Sequence, residues 1–294
     1  MVIDSADAQY SVTAAEPAGQ RRIWLCADDY GVSPAVNAAI RDLVLRGRVN
    51  ASSVMVVAPS LTRSEARSLA MLNAGGRRVA IGLHLTLTAP YRPLTRNFAP
   101  RPDDSFPPRN DLMRAALLRR LDEGEVDAEV KAQVAAFAAA FGQAPDFIDG
   151  HLHVHLLPQV RDAVLAAATE AGPQVWVRQC GSTAGLLQQL SDPKGILLDW
   201  LSRGFRRRAG AAGVPTNPAF AGTYTYGADA DFAALFPQFL VAMPDAGLIM
   251  CHPGRVDAEL ERLEPLTALR EREYDYLSGE AFPRVLAEHG VALA

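Results

Sequence analysis

Three cysteines in 294 residues, Cys26, Cys180 and Cys251, are too few and too widely spaced for a disulfide framework. None forms a CxxC pair, so a cysteine-based zinc site is excluded as well. A reducing compartment suits such a chain. No apolar run approaches the roughly 20 residues that a membrane-spanning helix needs. Residues 1–20 are polar, rich in Ala, Ser and Asp, and lack the apolar core of a signal peptide. Arg21-Arg22 looks like a twin-arginine pair, but Ile23-Trp24-Leu25-Cys26-Ala27 behind it is too short for such a signal and reads as a strand. An excess of positive charge is also missing: 29 Lys and Arg stand against 33 Asp and Glu, a net −4, which argues against a general nucleic-acid-binding surface. There is no repeat of fixed period and no linker. The expectation is a cytoplasmic protein with a disordered tail over 1–20 and one domain over 21–294.

What is present is an alternation of short apolar runs with amphipathic stretches, in a chain that is 49% hydrophobic. Ile23–Ala27, Ser52–Val57, Val79–Leu87, Phe147–Asp149, Val175–Arg178, Gly247–Cys251 and Val291–Leu293 read as strands. Between the first two, Ser33-Pro34 supplies an N-cap and a first helical residue. Val36, Ile40, Leu43 and Val44 follow at helical spacing, and Gly47 sits where a C-terminal cap belongs. Val130, Val134, Phe137 and Phe141 form a second helical stripe closed by Gly142, and Gln159–Ala171 a further helix ending at Gly172. Strands that are continuously apolar belong to a parallel sheet covered by helices, so the fold class is α/β. Pro90–Asn110 and Gly210–Tyr226, rich in Pro, Gly and Asn, read as long loops over one end of the sheet, and loops of that length usually serve function.

Acids and histidines collect at the ends of the strands. Asp28 and Asp29 end the first, His84 lies in Gly82-Leu83-His84-Leu85-Thr86, and Asp149, His151, His153 and His155 follow the Phe147 strand. Arg178 ends the next strand, and His252 follows Gly247–Cys251. In a (β/α) barrel the carboxyl ends of the strands form the active-site face, so five strands feed polar residues to one rim. Each residue also has a plainer reading. Asp28-Asp29-Tyr30-Gly31 could be a polar turn, His84 a hydrogen-bonded core residue, His252 a turn residue before Pro253, and Arg178 a partner for a carboxylate. Asp149-Gly150-His151-Leu152-His153-Val154-His155 is harder to explain by packing. If extended, its period of two turns the acid and all three histidines to one face and Leu152 and Val154 to the core. Imidazole is a common metal ligand, which favours metal or catalytic use for that segment. Cys180 and Cys251 read as core thiols, and Arg206-Arg207-Arg208 as a solvated helix end.

The motifs Ala27-Asp28-Asp29-Tyr30-Gly31, Gly82-Leu83-His84-Leu85, Asp149-Gly150-His151-Leu152-His153-Val154-His155 and Cys251-His252-Pro253 occur in the order found in YdjC-like carbohydrate deacetylases, and the chain resembles that family from about Ile23 to near its C-terminus. The resemblance implies a single-domain, distorted (β/α) barrel similar to polysaccharide deacetylases. It implies one divalent metal ion, Mg2+ or Zn2+, on Asp29, His84 and His151. Asp28 is then the general base and His252 the general acid. His153, His155 and Arg178 support the site or touch substrate, with Arg178 orienting Asp28. The family's motif often carries a further histidine where this chain has Leu152, so no ligand is expected at that position.

Metal held by two imidazoles and a carboxylate keeps a position open for water, as hydrolysis requires. That nitrogen-rich donor set favours zinc, although the family is associated with magnesium. Adjacent residues of a regular strand face opposite ways, so Asp28 and Asp29 can share a site only if the chain leaves strand geometry there; Gly31 makes room for that. The implied substrate is an N-acetylated sugar. Resemblance to the hopanoid-associated branch, through the extended tail, Asn217–Gly222 and His252-Pro253-Gly254, points to a lipid-linked N-acetylglucosaminyl headgroup, with chitobiose-type oligosaccharides as the alternative. Membrane contact would be peripheral at most, through Ile196–Arg208, whose plainer reading is a barrel-covering helix with a charged end. Two other classes compete: a metal-dependent hydrolase of a different bond, and a non-catalytic metal- or sugar-binding protein.

Overall fold

The structure is a computed structural model that describes residues 19–96, 98, 103–181, 193–224, 227, 230–264 and 267–294. The expected tail falls almost wholly on residues 1–18, outside the described residues. The strands are β1 (Arg21–Tyr30), β2 (Ala51–Val54), β3 (Ala80–Leu85), β4 (Phe147–Gly150), β5 (Trp176–Val177), β6 (Phe220–Ala221), β7 (Leu248–Cys251) and β8 (Val291–Leu293). All pair in parallel, in the order β5-β4-β3-β2-β1-β7-β6, with β8 alongside the start of β1. They form a curled, half-barrel sheet whose central strands are buried on both faces, which is why they read as unbroken apolar runs.

The helices that link them are α1 (Pro34–Leu45), α2 (Arg63–Ala70), α3 (Arg109–Leu117), α4 (Glu123–Phe141), α5 (Val160–Ala171), α6 (Pro193–Ala211), α7 (Phe232–Val241), α8 (Ala258–Leu263), α9 (Thr267–Ser278) and α10 (Ala281–Glu288). In α1 the Val36 N–H donates to the Ser33 hydroxyl at 3.3 Å, Pro34 opens the helix, and Val36, Ile40, Leu43 and Val44 are buried against the sheet. Gly142 takes the left-handed conformation (φ 73°) that ends α4. Among the described residues no helix is long and apolar enough to cross a membrane.

Two expected loops carry more structure than their composition suggested. In the stretch Pro90–Asn110, α3 begins at Arg109, and the backbone of Leu94 and Thr95 donates to buried Glu129 of α4 at 3.1 and 2.8 Å. Residues 97 and 99–102 of that stretch lie outside the described residues. Within Gly210–Tyr226, β6 pairs with β7, and Thr216 bridges to Val177 of β5. Asn217 strengthens that junction, accepting from the Gln179 N–H at 2.8 Å and donating to the Gln179 carbonyl at 3.0 Å. This stretch therefore helps close the half-barrel; its last two residues, 225 and 226, lie outside the described residues.

Candidate active site

Parallel register sets the functional side chains in one layer. Ala27 lies opposite Ser52 and Cys251, His84 opposite Asp149, and Ile148 opposite Val177. One step further along each strand come Asp28, Ser53, Asp149, Arg178 and His252, all at the carboxyl rim. The chain does leave regular strand geometry at the aspartates. Three steps of β1 (Ala27 to Tyr30) face two of β2 (Ser52 to Val54), and Asp29 is left-handed at φ 68°. Aspartate tolerates that conformation better than most residues. Gly31 follows at φ 106°, where a Cβ would stand 3.0 Å from the Met55 carbonyl, so this bulge needs its glycine.

Asp29, His84 and His151 meet: one ligating atom from each lies within 4.8 Å of the others. Asp29 Oδ1 is 3.2 Å from His84 Nε2 and 3.0 Å from His151 Nδ1. Behind His84, its Nδ1 lies 2.6 Å from Asp149 Oδ1 and 3.0 Å from the Ser53 hydroxyl. A carboxylate holding the far nitrogen of an imidazole fixes the ring so that the near nitrogen faces a metal, and this donor set fits a divalent cation. Burial alone would lower the His84 pKa. The charges of Asp149 and Asp28 and the hydrogen bonds to Asp149 and Asp29 outweigh it and lift it to about 10, so positive charge is strongly favoured here.

Asp28 sits beside this cluster in a different environment. Arg178 grips it with two bonds, Nη1 to Oδ2 at 2.6 Å and Nη2 to Oδ1 at 2.7 Å, and also reaches Asp149 Oδ2 at 2.5 Å. The Ser53 hydroxyl donates to Asp28 Oδ1 at 3.0 Å. Burial pushes the Asp28 pKa up, but the Arg178 charge and hydrogen bonds, with His84 and His252, hold it well below the usual carboxylate range. Cys26, Asp28 and Asp149 also converge, but the Arg178 guanidinium already hydrogen-bonds Asp28 and forms an ion pair with Asp149. Burial keeps the Cys26, Cys180 and Cys251 thiols protonated. His252 follows β7, the strand beside β1, and is half-buried, its main-chain N–H donating to Glu273 Oε2 at 2.5 Å.

The histidine-rich segment departs from the expected extended form. β4 ends at Gly150 and the chain turns into a short 3-10 stretch, with Leu152 (φ 54°) and His153 (φ 59°) both left-handed. The period of two therefore fails: Leu152 is 44% exposed rather than in the core, while Val154 is buried as expected. His151 alone of the three histidines joins the Asp29 cluster. His153 turns towards Cys180, its Nδ1 3.6 Å from the thiol, with its ring edge-on to Phe220. His155 is fully buried, and its Nε2 bonds the Arg178 carbonyl at 2.9 Å. Burial lowers both, His153 together with its neighbours His155 and Arg178, and His155 to about 3, so both imidazoles stay neutral. His155 thus supports the backbone that carries Arg178. Consecutive left-handed non-glycine residues cost about 1–3 kcal/mol each and persist where surroundings over-determine them, often at functional sites.

Sequence reading gave no role to Ser53, Tyr91, Arg270, Glu264 or Glu273, all of which bear on the site. Arg270 of α9 donates to Asp29 Oδ2 at 2.5 Å and to Glu264 at 2.7 Å. Burial would raise the Asp29 pKa, but Arg270 and His151 hold it well below the usual range. Tyr91 stands edge-on to the His151 ring with centroids 6.0 Å apart. Asp149 was marked by its strand end and by the histidine motif; Ser53 lay in a predicted strand with no signal of its own, Tyr91 in a segment that read as a loop, and Glu264, Arg270 and Glu273 in helical material before the last strand.

A half-barrel of parallel strands with carboxylates, imidazoles and a buried arginine at its carboxyl rim defines a hydrolase-like class of α/β protein. The chain belongs to the YdjC-like protein family, whose model matches residues 22–288. It is 27% identical over 286 residues to a chitooligosaccharide deacetylase of Citrobacter koseri, covering 93% of this chain and 97% of that protein. It is 28% identical over 251 residues to a chitooligosaccharide deacetylase of Yersinia pestis, covering 80% and 82%. Among solved structures it is similar to a proposed cellobiose-phosphate cleavage protein of Enterococcus faecalis, with a TM-score of 0.73, 22% identity and coverage of 94% and 97%, a likeness of fold.

Proposed function

We propose that this protein is a metal-dependent carbohydrate deacetylase that hydrolyses the acetamide of an N-acetylated amino sugar, releasing acetate and a free amine. The juxtaposition of the Asp29–His84–His151 cluster with an Arg178-gripped Asp28 carries this reading. The names of the relatives, chitooligosaccharide deacetylases matched over most of their length, support the substrate class. Asp29, His84 and His151 would hold a divalent cation, which would supply Lewis-acid polarisation of the acetamide carbonyl. The two imidazole nitrogens and one carboxylate oxygen favour zinc over magnesium on ligand softness.

The chain's own groups move the protons. Asp28, kept ionised by Arg178, accepts a proton from the attacking water as its oxygen bonds to the carbonyl carbon. His252, on the neighbouring strand end level with Asp28, gives a proton to the amine nitrogen as the C–N bond breaks. Arg178 and Ser53 keep the Asp28 carboxylate from rotating, and His155 and Asp149 hold Arg178 in turn. Leu152, exposed beside His151, offers an apolar surface to the sugar or its acetyl methyl.

The N-acetylglucosaminyl headgroup of a hopanoid is the proposed natural substrate, and α6 supports it. Ile196 (44% exposed), Trp200 (60% exposed), Arg203 and Arg207 share one face of that helix, an apolar and basic combination suited to the surface of an anionic membrane. The relatives' names favour a second reading, a chitobiose-type oligosaccharide. Acetate release from diacetylchitobiose, from an N-acetylglucosaminyl lipid in micelles and from N-acetylglucosamine, with metal analysis of the same preparation, separates the two. No acetate from any of them refutes the deacetylase reading.

A further inference from the structure

Helix α9 buries two ionisable side chains three residues apart, Arg270 (4% exposed) and Glu273 (1% exposed), between the apolar Leu269 and Leu277. Residues at that spacing share a face of a helix. Charges are costly to desolvate, and packing α9 against its neighbours α1, α7 and α10 would be served as well by apolar residues. Both instead reach the rim. Arg270 bonds Asp29 Oδ2, leaving Oδ1 as the oxygen that faces His84 and His151. Glu264 bonds Arg270 through Nη2 at 2.7 Å and Nε at 2.9 Å, so the guanidinium is neutralised by a carboxylate other than Asp29. Glu273 accepts from the main-chain N–H of His252 and from the Tyr224 hydroxyl, each at 2.5 Å. The Arg270 carbonyl accepts from Gly254 N–H at 3.0 Å, which ties the turn after His252 to the same helix.

We propose that α9 is a two-armed positioning element. Its Arg270 arm holds Asp29 so that Oδ1 is presented to the cation, and its Glu273 arm holds the main chain that carries His252. The proposal rests on the reading of Asp29, His84 and His151 as metal ligands. Neither arm touches substrate, so both are positioning residues. The arms are separable: Arg270 sets affinity for the cation, Glu273 sets turnover. An arginine that merely cancelled charge would oppose cation binding, and its loss would tighten it. An arginine that orients a ligand does the reverse, because outer-shell partners typically contribute about 10–100-fold to metal affinity.

The test is calorimetric titration of the metal-stripped, full-length protein with Zn2+ alone, beside circular dichroism to establish folding. Arg270→Gln is expected to weaken Zn2+ about 10–100-fold, and Arg270→Lys to recover part of that loss. Glu264→Gln, which leaves Arg270 in place but less firmly held, is expected to weaken Zn2+ less, and it carries the test should Arg270→Gln not fold. Glu273→Gln is expected to bind Zn2+ as the wild type does while kcat on the amide substrate falls at least about tenfold with KM unchanged. Unchanged or tighter Zn2+ binding by folded Arg270→Gln, or by Glu264→Gln in its place, overturns the proposal. Equal loss of Zn2+ affinity in Arg270→Gln and Glu273→Gln overturns the division between the arms. A His84→Ala control separates the two layers: if it binds Zn2+ as tightly as wild type, the ligand assignment itself fails.

Discussion

Replacing Arg178 with methionine, close to it in length and without charge, is expected to destabilise the protein in a strongly pH-dependent way. The Arg178 side chain has no exposed surface; it hydrogen-bonds Asp28 twice, at 2.6 and 2.7 Å, and forms an ion pair with Asp149 at 2.5 Å. Its removal leaves two carboxylates, 1% and 0% exposed, without their cation. At an effective dielectric near 20, two unit charges about 4 Å apart interact by about 4 kcal/mol. Breaking a buried pair by deleting one partner typically costs about 3–5 kcal/mol, a large share of a total stability of about 5–15 kcal/mol. The sign with pH follows from Asp28. In the wild type its pKa is depressed, so the pair's stabilisation is present above the unfolded carboxylate pKa of about 3.9 and is lost only as pH falls through the lower folded value. In the variant, burial without the guanidinium raises that pKa from its wild-type value, so Asp28 destabilises the fold increasingly as pH rises. Urea unfolding followed by tryptophan fluorescence, with EDTA throughout, should show a gap of about 3–5 kcal/mol at pH 8 that narrows at pH 5. A gap below about 1 kcal/mol at pH 8, or one of equal size at both pH values, refutes the ion-pair account.

Asp28→Asn should fold and retain metal yet turn over about 10²–10⁴-fold more slowly, because the amide cannot accept the proton; near-wild-type activity at saturating metal removes Asp28 from the chemistry. His252→Ala should lose much more activity on an amide than on an activated acetate ester, whose leaving group needs no proton, and equal losses on both count against the acid role. Association with anionic liposomes should be weak, reversible and reduced by salt, and sedimentation should show less of it in a variant with Arg203, Arg206 and Arg207 changed to Gln. Equal, negligible sedimentation of both proteins at low salt ends the surface-docking reading and leaves the deacetylase reading standing.

Much of the fold was legible because parallel strands in this sheet are apolar on both faces and the caps are local. Ser33, Pro34 and Gly47 bound α1 within about a residue, and Gly142 ends α4 where the stripe stops. What escaped was either too short or set by tertiary contact. β6 has two residues, and its pairing depends on β7 lying beside it rather than on its own composition. The histidine-rich segment was misread for a related reason. Its alternation of polar and apolar residues is a strand pattern, yet Leu152 and His153 adopt left-handed backbones that nothing in their side chains demands. The Asp28–Asp29 bulge was legible by contrast, because two carboxylates required at one point, with a glycine two residues on, leave few other geometries.

The site divides along the same line. In a parallel barrel every strand ends at the same rim, so a polar residue at a strand end is placed near the others by register alone, and Asp28, Asp29, His84, His151, Arg178 and His252 could be gathered from sequence position. Their partners obey no such rule. Asp149 is 65 residues from His84, Arg178 is 150 from Asp28, and Arg270 is 241 from Asp29. Arg178 and Asp149 still fall at strand ends, which is why they stood in the polar inventory. Arg270 and Glu273 come from a helix dense in charge, Leu269-Arg270-Glu271-Arg272-Glu273, whose pattern is that of a solvated face. Only the folded chain shows that two of those charges are buried and aimed at the rim. Residues that occupy the rim are thus written into strand-end position, whereas residues that hold them are chosen by which helix brings its side chains to the rim. Burial of a charge on a helix that could have packed with apolar side chains is the sign by which such residues are found.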